Sequence, residues 1–143
     1  MAPRPTNTEI ELISKIPIFS LTGKKQLQKI AKEFSIRKAA EGEQITVQGE
    51  YGREFYVVAS GSARCEVDGH EIGKFDRGAF FGELALLAGG PRSATMVAET
   101  PMELLVLDRS DFTMLLHAAP EVAIKMLKAV ATRLQEADRQ VTN

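Results

Sequence analysis

The spacing of apolar residues divides the chain into a helical start, a central part with strand-like alternation and a helical end. Apolar residues in Leu27–Phe34 recur at i, i+3, i+4 and i+7, as on one face of a helix. In the central part the period falls to two, as in Ala63–Val67, which is typical of half-buried strands. The pattern predicts N-terminal helices over 6–33, a β body over 34–108 and C-terminal helices over 110–138.

Glycines separate the short strand-like runs of the β body. Asp68–Gly69 lies between two such runs and predicts a tight hairpin. Phe55–Ala59 and Leu104–Leu107 are almost wholly apolar, which indicates strands buried on both faces. Closely spaced short strands favour an antiparallel sandwich or small barrel over alternating βαβ units.

The C-terminal part predicts two helices. Ser110 and Asp111 suit the start of a short helix, and Pro120 suits the first position of a longer one that ends near Asp138. Apolar residues cover more than one face of the longer helix, since Val122 and Met126 share a face opposite Leu127. This helix is expected to pack on the β body and to present its other side elsewhere.

Composition narrows the class of protein. A chain of 143 residues with 44% hydrophobic and 26% charged residues fits one globular domain, 1–143. Eighteen basic against nineteen acidic residues give a net charge of −1, which argues against general affinity for nucleic acid or anionic membranes. Uncharged stretches reach roughly nine residues, whereas a membrane-spanning helix needs about twenty apolar residues. The single cysteine, Cys65, excludes a disulfide within the chain and fits a reducing compartment such as the cytoplasm.

One stretch, Phe80–Thr95, breaks the alternation and carries the candidate chemistry. The apolar run Leu84–Leu87 before Gly-Gly-Pro predicts a one-turn helix, and the N–H groups at its start favour an anion. The guanidinium of Arg92 suits two phosphate oxygens, and the carboxylate of Glu83 suits sugar hydroxyls. From spacing alone, Glu83 and Arg92 could equally pair with each other, although burying such a pair is costly without further partners.

The runs Phe81–Leu87 and Pro91–Thr95 resemble the phosphate-binding cassette of cyclic nucleotide-binding domains. That family includes regulatory subunits of cyclic-nucleotide kinases, catabolite activator proteins and cyclic nucleotide-gated channels, and the sequence is most similar to the domain of bacterial cyclic nucleotide-gated potassium channels. The glycine-punctuated strands upstream fit as well, and the resemblance covers roughly residues 10–137. One departure is Ala40, where many relatives have proline in a turn. The resemblance implies an α+β fold: an eight-stranded antiparallel, jelly-roll-like β-roll, with cassette 81–95, flanked by N-terminal helices and two C-terminal helices.

The resemblance also assigns roles to single residues. Glu83 would accept from the ribose 2′-hydroxyl, Arg92 would pair with the cyclic phosphate, and Arg133 on the last helix would close over the base as a lid residue. Arg133 could instead be a solvated surface cation, and Cys65 and Phe75 could line the base pocket or simply pack in the core. The remaining anion site would consist of backbone amides around Gly82, Leu84, Ala85 and Ala94 and the hydroxyl of Ser93.

The implied function is regulation by a bound nucleotide, with no cofactor or metal. Ser93 after the cassette arginine favours cAMP, because in the kinase branch of the family a threonine there favours guanine, whereas bacterial cAMP receptors have serine; cGMP remains the alternative ligand. Binding would draw Gly82–Thr95 inward, repack Leu86 or Leu87 near Phe112, and fold the last helix over the base. The effector would be a channel pore or another fused or separate partner, or the chain would act as a stand-alone binding protein.

Two other function classes fit the sequence less well. A metal-dependent enzyme usually needs clustered ligands, whereas His70 and His117 lack metal-ligand spacing. No nucleophile elbow surrounds Ser62 or Ser93. A DNA-binding regulator would need a helix-turn-helix after the lid helix, where only residues 139–143 follow. The sequence therefore predicts neither an enzyme nor a nucleic-acid-binding protein.

Overall fold

A computed structural model describes residues 7–142 of the chain, so of the predicted N-terminal segment 6–33 only the first residue lies outside the described residues. Helices and strands follow the predicted order. The helices are α1 (Asn7–Ser14), α2 (Lys24–Ala31), α3 (Glu83–Leu87), α4 (Arg109–Ala118) and α5 (Pro120–Thr142), with a 3-10 turn at Pro17–Phe19. The strands are β1 (Ser35–Ala39), β2 (Gln44–Thr46), β3 (Glu54–Ser60), β4 (Ala63–Val67), β5 (His70–Phe75), β6 (Phe80–Phe81), β7 (Thr95–Ala98) and β8 (Met102–Asp108).

The strands of the described residues form two antiparallel sheets. One sheet has the order β1-β8-β3-β6 and the other the order β2-β7-β4-β5. The predicted α+β fold with an eight-stranded antiparallel β-roll is therefore confirmed. The crossing order means that strands distant in sequence become neighbours, so the loops between them meet at common edges.

Strand β3 shows why the apolar run was long. Phe55 and Val57 belong to the core between the roll and the helices, whereas Tyr56 and Val58 belong to the core inside the roll. All four side chains are at most 3% exposed. Both faces of a central strand are covered here, so period-two alternation of polarity disappears.

The predicted hairpin at Asp68–Gly69 joins β4 to β5. Both residues have positive φ, 53° at Asp68 and 81° at Gly69. Two successive residues with positive φ are the geometry of a type I′ turn, which follows the twist of the paired strands. Here the local sequence was sufficient to place the turn.

The helix ends differ from the predicted ones by a few residues. The helical spacing over Leu27–Phe34 belongs to a helix that covers Lys24–Ala31, and the last helix continues four residues beyond Asp138 to Thr142. The predicted starters of α4 lie inside it, because Asp108 is the cap and accepts from the Asp111 N–H at 2.9 Å. Asp108 ends β8, so one residue serves both elements.

Helix α5 packs on the body by one face. Val122 is 0% exposed and Met126 3%, whereas Ile124, Leu127 and Leu134 on the other face are 55–69% exposed. The expectation of a second, outward side is therefore confirmed. None of the helices in 7–142 combines the length and the apolar character that a membrane span requires.

Candidate functional site

The cassette is built on a glycine with a left-handed backbone. Gly82 precedes α3 with φ of +93°, a conformation that side chains of L-residues rarely adopt. A Cβ atom at this position would lie 2.8 Å from the Glu54 carbonyl oxygen and 2.9 Å from Nη1 of Arg92. The turn into α3 thus requires glycine for both conformation and space.

Arg92 is buried, with 6% of its surface exposed, and its guanidinium is fixed by the backbone around it. Nη2 donates to the Glu54 carbonyl at 2.9 Å, and Nη1 donates to the Gly82 carbonyl at 3.3 Å. The Glu54 carboxylate adds an ion pair at 3.4 Å but is itself 46% exposed. A cationic side chain is therefore held in position mainly by neutral carbonyl oxygens.

The β2–β3 loop holds the backbone of Arg92 as well. The Gly49 N–H donates to the Arg92 carbonyl at 2.9 Å, and the Arg92 N–H donates to the Glu50 carbonyl at 2.8 Å. A Cβ atom on Gly52 would lie 2.4 Å from two nitrogens of the guanidinium. The guanidinium thus lies directly against the backbone of Gly52, and this loop sets its position.

Glu83, the first residue of α3, is 4% exposed and pairs with Arg133. Nη1 of Arg133 donates to Oε1 of Glu83 at 3.0 Å, and Nη2 donates to the Phe80 carbonyl at 2.8 Å. The guanidinium of Arg133 lies 4.5 Å from the ring centre of Phe80 and 5.0 Å from that of Phe75. The last helix is therefore joined to β6 and to the cassette by two hydrogen bonds from one partly buried guanidinium.

Burial governs the electrostatics of this site. It raises the pKa of Glu83 above its ordinary value, and the charges of Arg133 and Arg92 and a hydrogen bond from its own backbone act in the opposite direction. Burial also raises the pKa of Cys65, whereas Arg133 lowers it. The Cys65 thiol is thus inside the field of Arg133 and is a neutral group at neutral pH.

Two alternatives left open by the sequence are decided by this geometry. Glu83 and Arg92 do not pair with each other, because Glu83 pairs with Arg133 and Arg92 with Glu54. Arg133 is not a solvated surface cation, since its side chain is 36% exposed and makes the contacts described above. Both predicted charged residues of the cassette are buried, as a binding site would require.

The other predicted ligand-binding residues lie in or near α3 and differ in how far they are exposed to solvent. Leu84 is 48% exposed, Ser93 is exposed, and Ala85 and Ala94 are half-buried. The ligand-binding roles of Gly82, Leu84, Ala85, Ser93 and Ala94 stay predictions.

Leu86 is already buried in the same core cluster as Phe112, whereas Leu87 is 59% exposed. Of the two leucines expected to repack on binding, only Leu87 has apolar surface left to bury.

Sequence reasoning missed the partners of the two arginines. Glu54 is 38 residues from Arg92, and the Phe80 carbonyl is 53 residues from Arg133. Carbonyl acceptors carry no signal in the side-chain pattern, so nothing in the sequence could have identified them. The close approach at Gly52 had a weak signal, a glycine just before a buried strand.

Within residues 7–142, no cluster of His, Cys, Asp and Glu could hold a metal ion.

The family comparison fits this geometry. Residues 36–119 match the family model described as the cyclic nucleotide-binding domain, which covers the β-roll, the cassette and α4. The chain belongs to the cyclic nucleotide-binding domain family. The predicted family is thereby confirmed, and with it a class of regulatory binding domains.

Relatives of this domain include channels and activators. The chain is 32% identical over 123 residues to a cyclic nucleotide-gated potassium channel of Rhizobium etli, covering 86% of this chain and 34% of the channel. It therefore spans about a third of the length of that relative. It aligns with the catabolite activator protein of Thermus thermophilus at a TM-score of 0.79 and 34% identity, covering 88% of this chain and 62% of that chain.

A further solved relative is a kinase regulatory subunit. The regulatory subunit of a cAMP-independent protein kinase A from Trypanosoma brucei aligns at a TM-score of 0.76 and 28% identity. The alignment covers 87% of this chain and 46% of that chain. Assignment of a ligand must therefore rest on the residues of this cassette and not on the fold.

Proposed function

We propose that this domain binds cAMP between Glu83 and Arg92 and transmits binding through α5. The observation that carries the proposal is the buried, pre-positioned guanidinium of Arg92, which is 6% exposed and bonded to two backbone carbonyls. Such a group costs little further ordering when it binds an anion in an enclosed site. Arg92 binds the cyclic phosphate, and Glu83 accepts from the ribose 2′-hydroxyl.

The link to α5 is supported by the contact between Arg133 and Glu83. Because Arg133 donates to Oε1 of Glu83 at 3.0 Å, a ribose hydroxyl and Arg133 use the same carboxylate. Ligand binding therefore changes the free energy of the contact that holds α5 on the cassette. A ligand shifts a conformational equilibrium only through such differential contacts. Arg133 then closes over the base, beside Phe75.

The preference for cAMP is supported by Ser93. In the kinase branch of the family, threonine directly after the cassette arginine favours guanine, and this chain has serine there. Ser93 is exposed beside the buried Arg92, where its hydroxyl is available to the phosphate. A preference for cGMP is the alternative, and parallel titration with the two nucleotides tests it.

The role of the domain is regulatory, in the cytoplasm or at the cytoplasmic face of a membrane. Similarity to the channel of Rhizobium etli supports a pore as the effector, fused or separate. Co-purification with a pore-forming chain distinguishes a pore effector from the alternative, a stand-alone protein that acts on another partner. The net charge of −1 gives no support to binding of nucleic acid.

Calorimetric titration with cAMP and cGMP in parallel tests the proposal. Wild type is expected to bind cAMP more tightly than cGMP. Arg92→Ala is expected to weaken cAMP binding by about 2–3 kcal/mol, the scale of a charge-assisted hydrogen bond, or roughly 30- to 150-fold. Arg77→Ala, at an exposed arginine outside the cassette, is the matched control and keeps wild-type affinity.

Because Arg92 also bonds the backbone, each variant is first checked for a cooperative thermal transition. If Arg92→Ala does not fold, Arg92→Lys keeps the charge but loses the two-nitrogen geometry, and is expected to weaken binding less than the alanine variant. Wild-type cAMP affinity in a folded Arg92→Ala variant, or no binding of either nucleotide by wild type, contradicts the proposal.

A further inference from the structure

A cleft lies between α5 and the β-roll. Its volume is about 450 Å³, and its walls include Ile18 of the 3-10 turn, Phe80 of β6 and Ala129 of α5. Small-molecule sites are commonly clefts of roughly 300–1,000 Å³ with mostly apolar walls and a few polar groups. The cleft shares Arg133 and Phe80 with the proposed nucleotide site, whereas Lys125, Lys128 and Ala129 have no role there.

The charges around the cleft have one sign. Its charged lining residues are Lys125, Lys128 and Arg133, all of them cations. Lys125 donates to the hydroxyl of Ser20, a neutral group, and Arg133 is paired with Glu83. Within the described part of the chain, no ion pair engages the ammonium group of Lys128, which is exposed. A positive rim thus stands over an apolar floor.

We propose that this cleft binds a small amphipathic anion: a carboxylate or sulfonate joined to an aliphatic or aromatic body. The anionic group lies against Lys128 and Lys125, and the apolar body packs on Pro17 and Ala129, above the buried side chains of Ile18 and Phe80. Lysine suits such a head group because its ammonium is a mobile point charge on a flexible stem. The apolar walls select against inorganic anions, which have nothing to bury there.

Occupation of the cleft would act on α5. The cleft is bounded on one side by α5 and on another by the 3-10 turn at Pro17–Phe19, so a ligand there contacts both elements. Its anionic group also lies in the field of Arg133, the residue that joins α5 to Glu83. A bound anion would thus favour one position of α5 over another without occupying the nucleotide site.

Fluorescence titration with 8-anilinonaphthalene-1-sulfonate, an aromatic sulfonate, tests the site. Wild type is expected to bind one probe molecule saturably, and Lys128→Glu to weaken binding at least fivefold. Octanoate is expected to displace the probe, whereas 1-octanol at the same concentration, which lacks the charge, displaces it much less. The control is Lys38→Glu, an equal charge change at an exposed residue of β1 that does not line the cleft; it stays within twofold of wild type.

A second apolar cavity could also take up the probe, and the variants distinguish the two. That cavity, of about 510 Å³, lies between α2 and α4, and a probe bound there is insensitive to Lys128. Equal probe affinity in wild type and Lys128→Glu, equal weakening by Lys38→Glu, or binding without saturation would overturn the proposal. The titration contains no nucleotide, so its result does not depend on the proposed function. Lys128→Glu is also expected to keep cAMP affinity within twofold of wild type.

Discussion

At the scale of single residues, the site depends on the absence of side chains at two positions. Gly82 lets α3 start directly against the Glu54 carbonyl, and Gly52 lets the guanidinium of Arg92 lie on the backbone. The two differ in kind, since Gly82 has φ of +93° and is conformationally restricted, whereas Gly52 is restricted only by its neighbour. Gly52 therefore allows a test of Arg92 position without backbone strain.

Gly52→Ala is expected to displace Arg92 and weaken cAMP binding at least tenfold. The added methyl would lie 2.4 Å from the guanidinium, and a side-chain end moves more readily than backbone. A shift of about 1 Å suffices to lose a well-aligned charge-assisted contact. Calorimetry measures the affinity and thermal unfolding measures the stability.

Gly73→Ala is the matched control for this change. A Cβ atom on Gly73 has no heavy atom within 4 Å, and the residue lies in β5, away from Arg92. This variant is expected to bind cAMP like wild type. If both glycine variants bind with wild-type affinity, the position of the guanidinium is not what determines binding.

At the scale of elements, α3 and α5 bring together residues that are 50 positions apart. Helix α3 places Glu83 in its first turn, and α5 carries Arg133 on the side that faces the roll. Residues 134–139 of α5 are all exposed, so Arg133 is near the end of the part of α5 that the body holds. The contacts of Arg133 with Glu83 and with the Phe80 carbonyl therefore attach α5 near the end of its packed part.

Arg133→Ala is expected to weaken cAMP binding less than Arg92→Ala does and to speed dissociation of the nucleotide. The loss of the lid contact removes a group that closes the site but leaves the phosphate partner in place. Stopped-flow release of a fluorescent cAMP analogue gives the rate, with Gln135→Ala, two residues further along the same helix, as control. An unchanged dissociation rate in Arg133→Ala would mean that α5 is not a lid.

At the scale of the whole molecule, two layers of core surround the site and control its charges. One core lies between the roll and the helices and the other lies inside the roll, and β3 supplies both. Glu83 is 4% exposed, and this burial raises its pKa. The folded chain thus retains a proton on Glu83 to higher pH than the unfolded chain, so stability from this group falls as pH rises.

Glu83→Gln is expected to gain stability relative to wild type as pH rises. Below the ordinary glutamate pKa of 4.5, Glu83 is protonated in both states and the two proteins differ by a constant. Between that value and the raised pKa, the wild-type free energy of unfolding declines, whereas glutamine does not titrate. Chemical denaturation from pH 4 to pH 7.5 measures the difference between the two proteins.

In the stability difference between wild type and Glu83→Gln, the contributions of the other titrating groups cancel. A backbone hydrogen bond from Ala40 and the contact with Arg37 lower the pKa of Glu43, and the Asp111 backbone lowers that of Asp108. Both carboxylates contribute stability at neutral pH that is lost on acidification, in wild type and variant alike. A stability difference that stays constant over this pH range would show that burial does not raise the pKa of Glu83.

The fold could be predicted from the sequence wherever a local rule applied. Alternation and glycine spacing predicted an antiparallel sandwich or barrel, and Asp68–Gly69 predicted its hairpin, since turn geometry depends on two adjacent residues. The cassette was recognised from contiguous residues, and Glu83 and Arg92 were identified there. Helix ends were less accurate, because a cap such as Asp108 belongs to the preceding strand as much as to the helix.

Only the tertiary structure decided what each charged residue of the site contacts. The partners are 38 residues apart for Arg92 and Glu54 and 50 for Arg133 and Glu83, and three of the acceptors are backbone carbonyls. Composition and spacing cannot rank such partners, because each depends on the order in which strands cross between sheets. The amino-acid sequence alone determined which side chains could hold an anion and a sugar; chain topology determined that Arg92 is fixed on Gly52 and that α5 reaches Glu83.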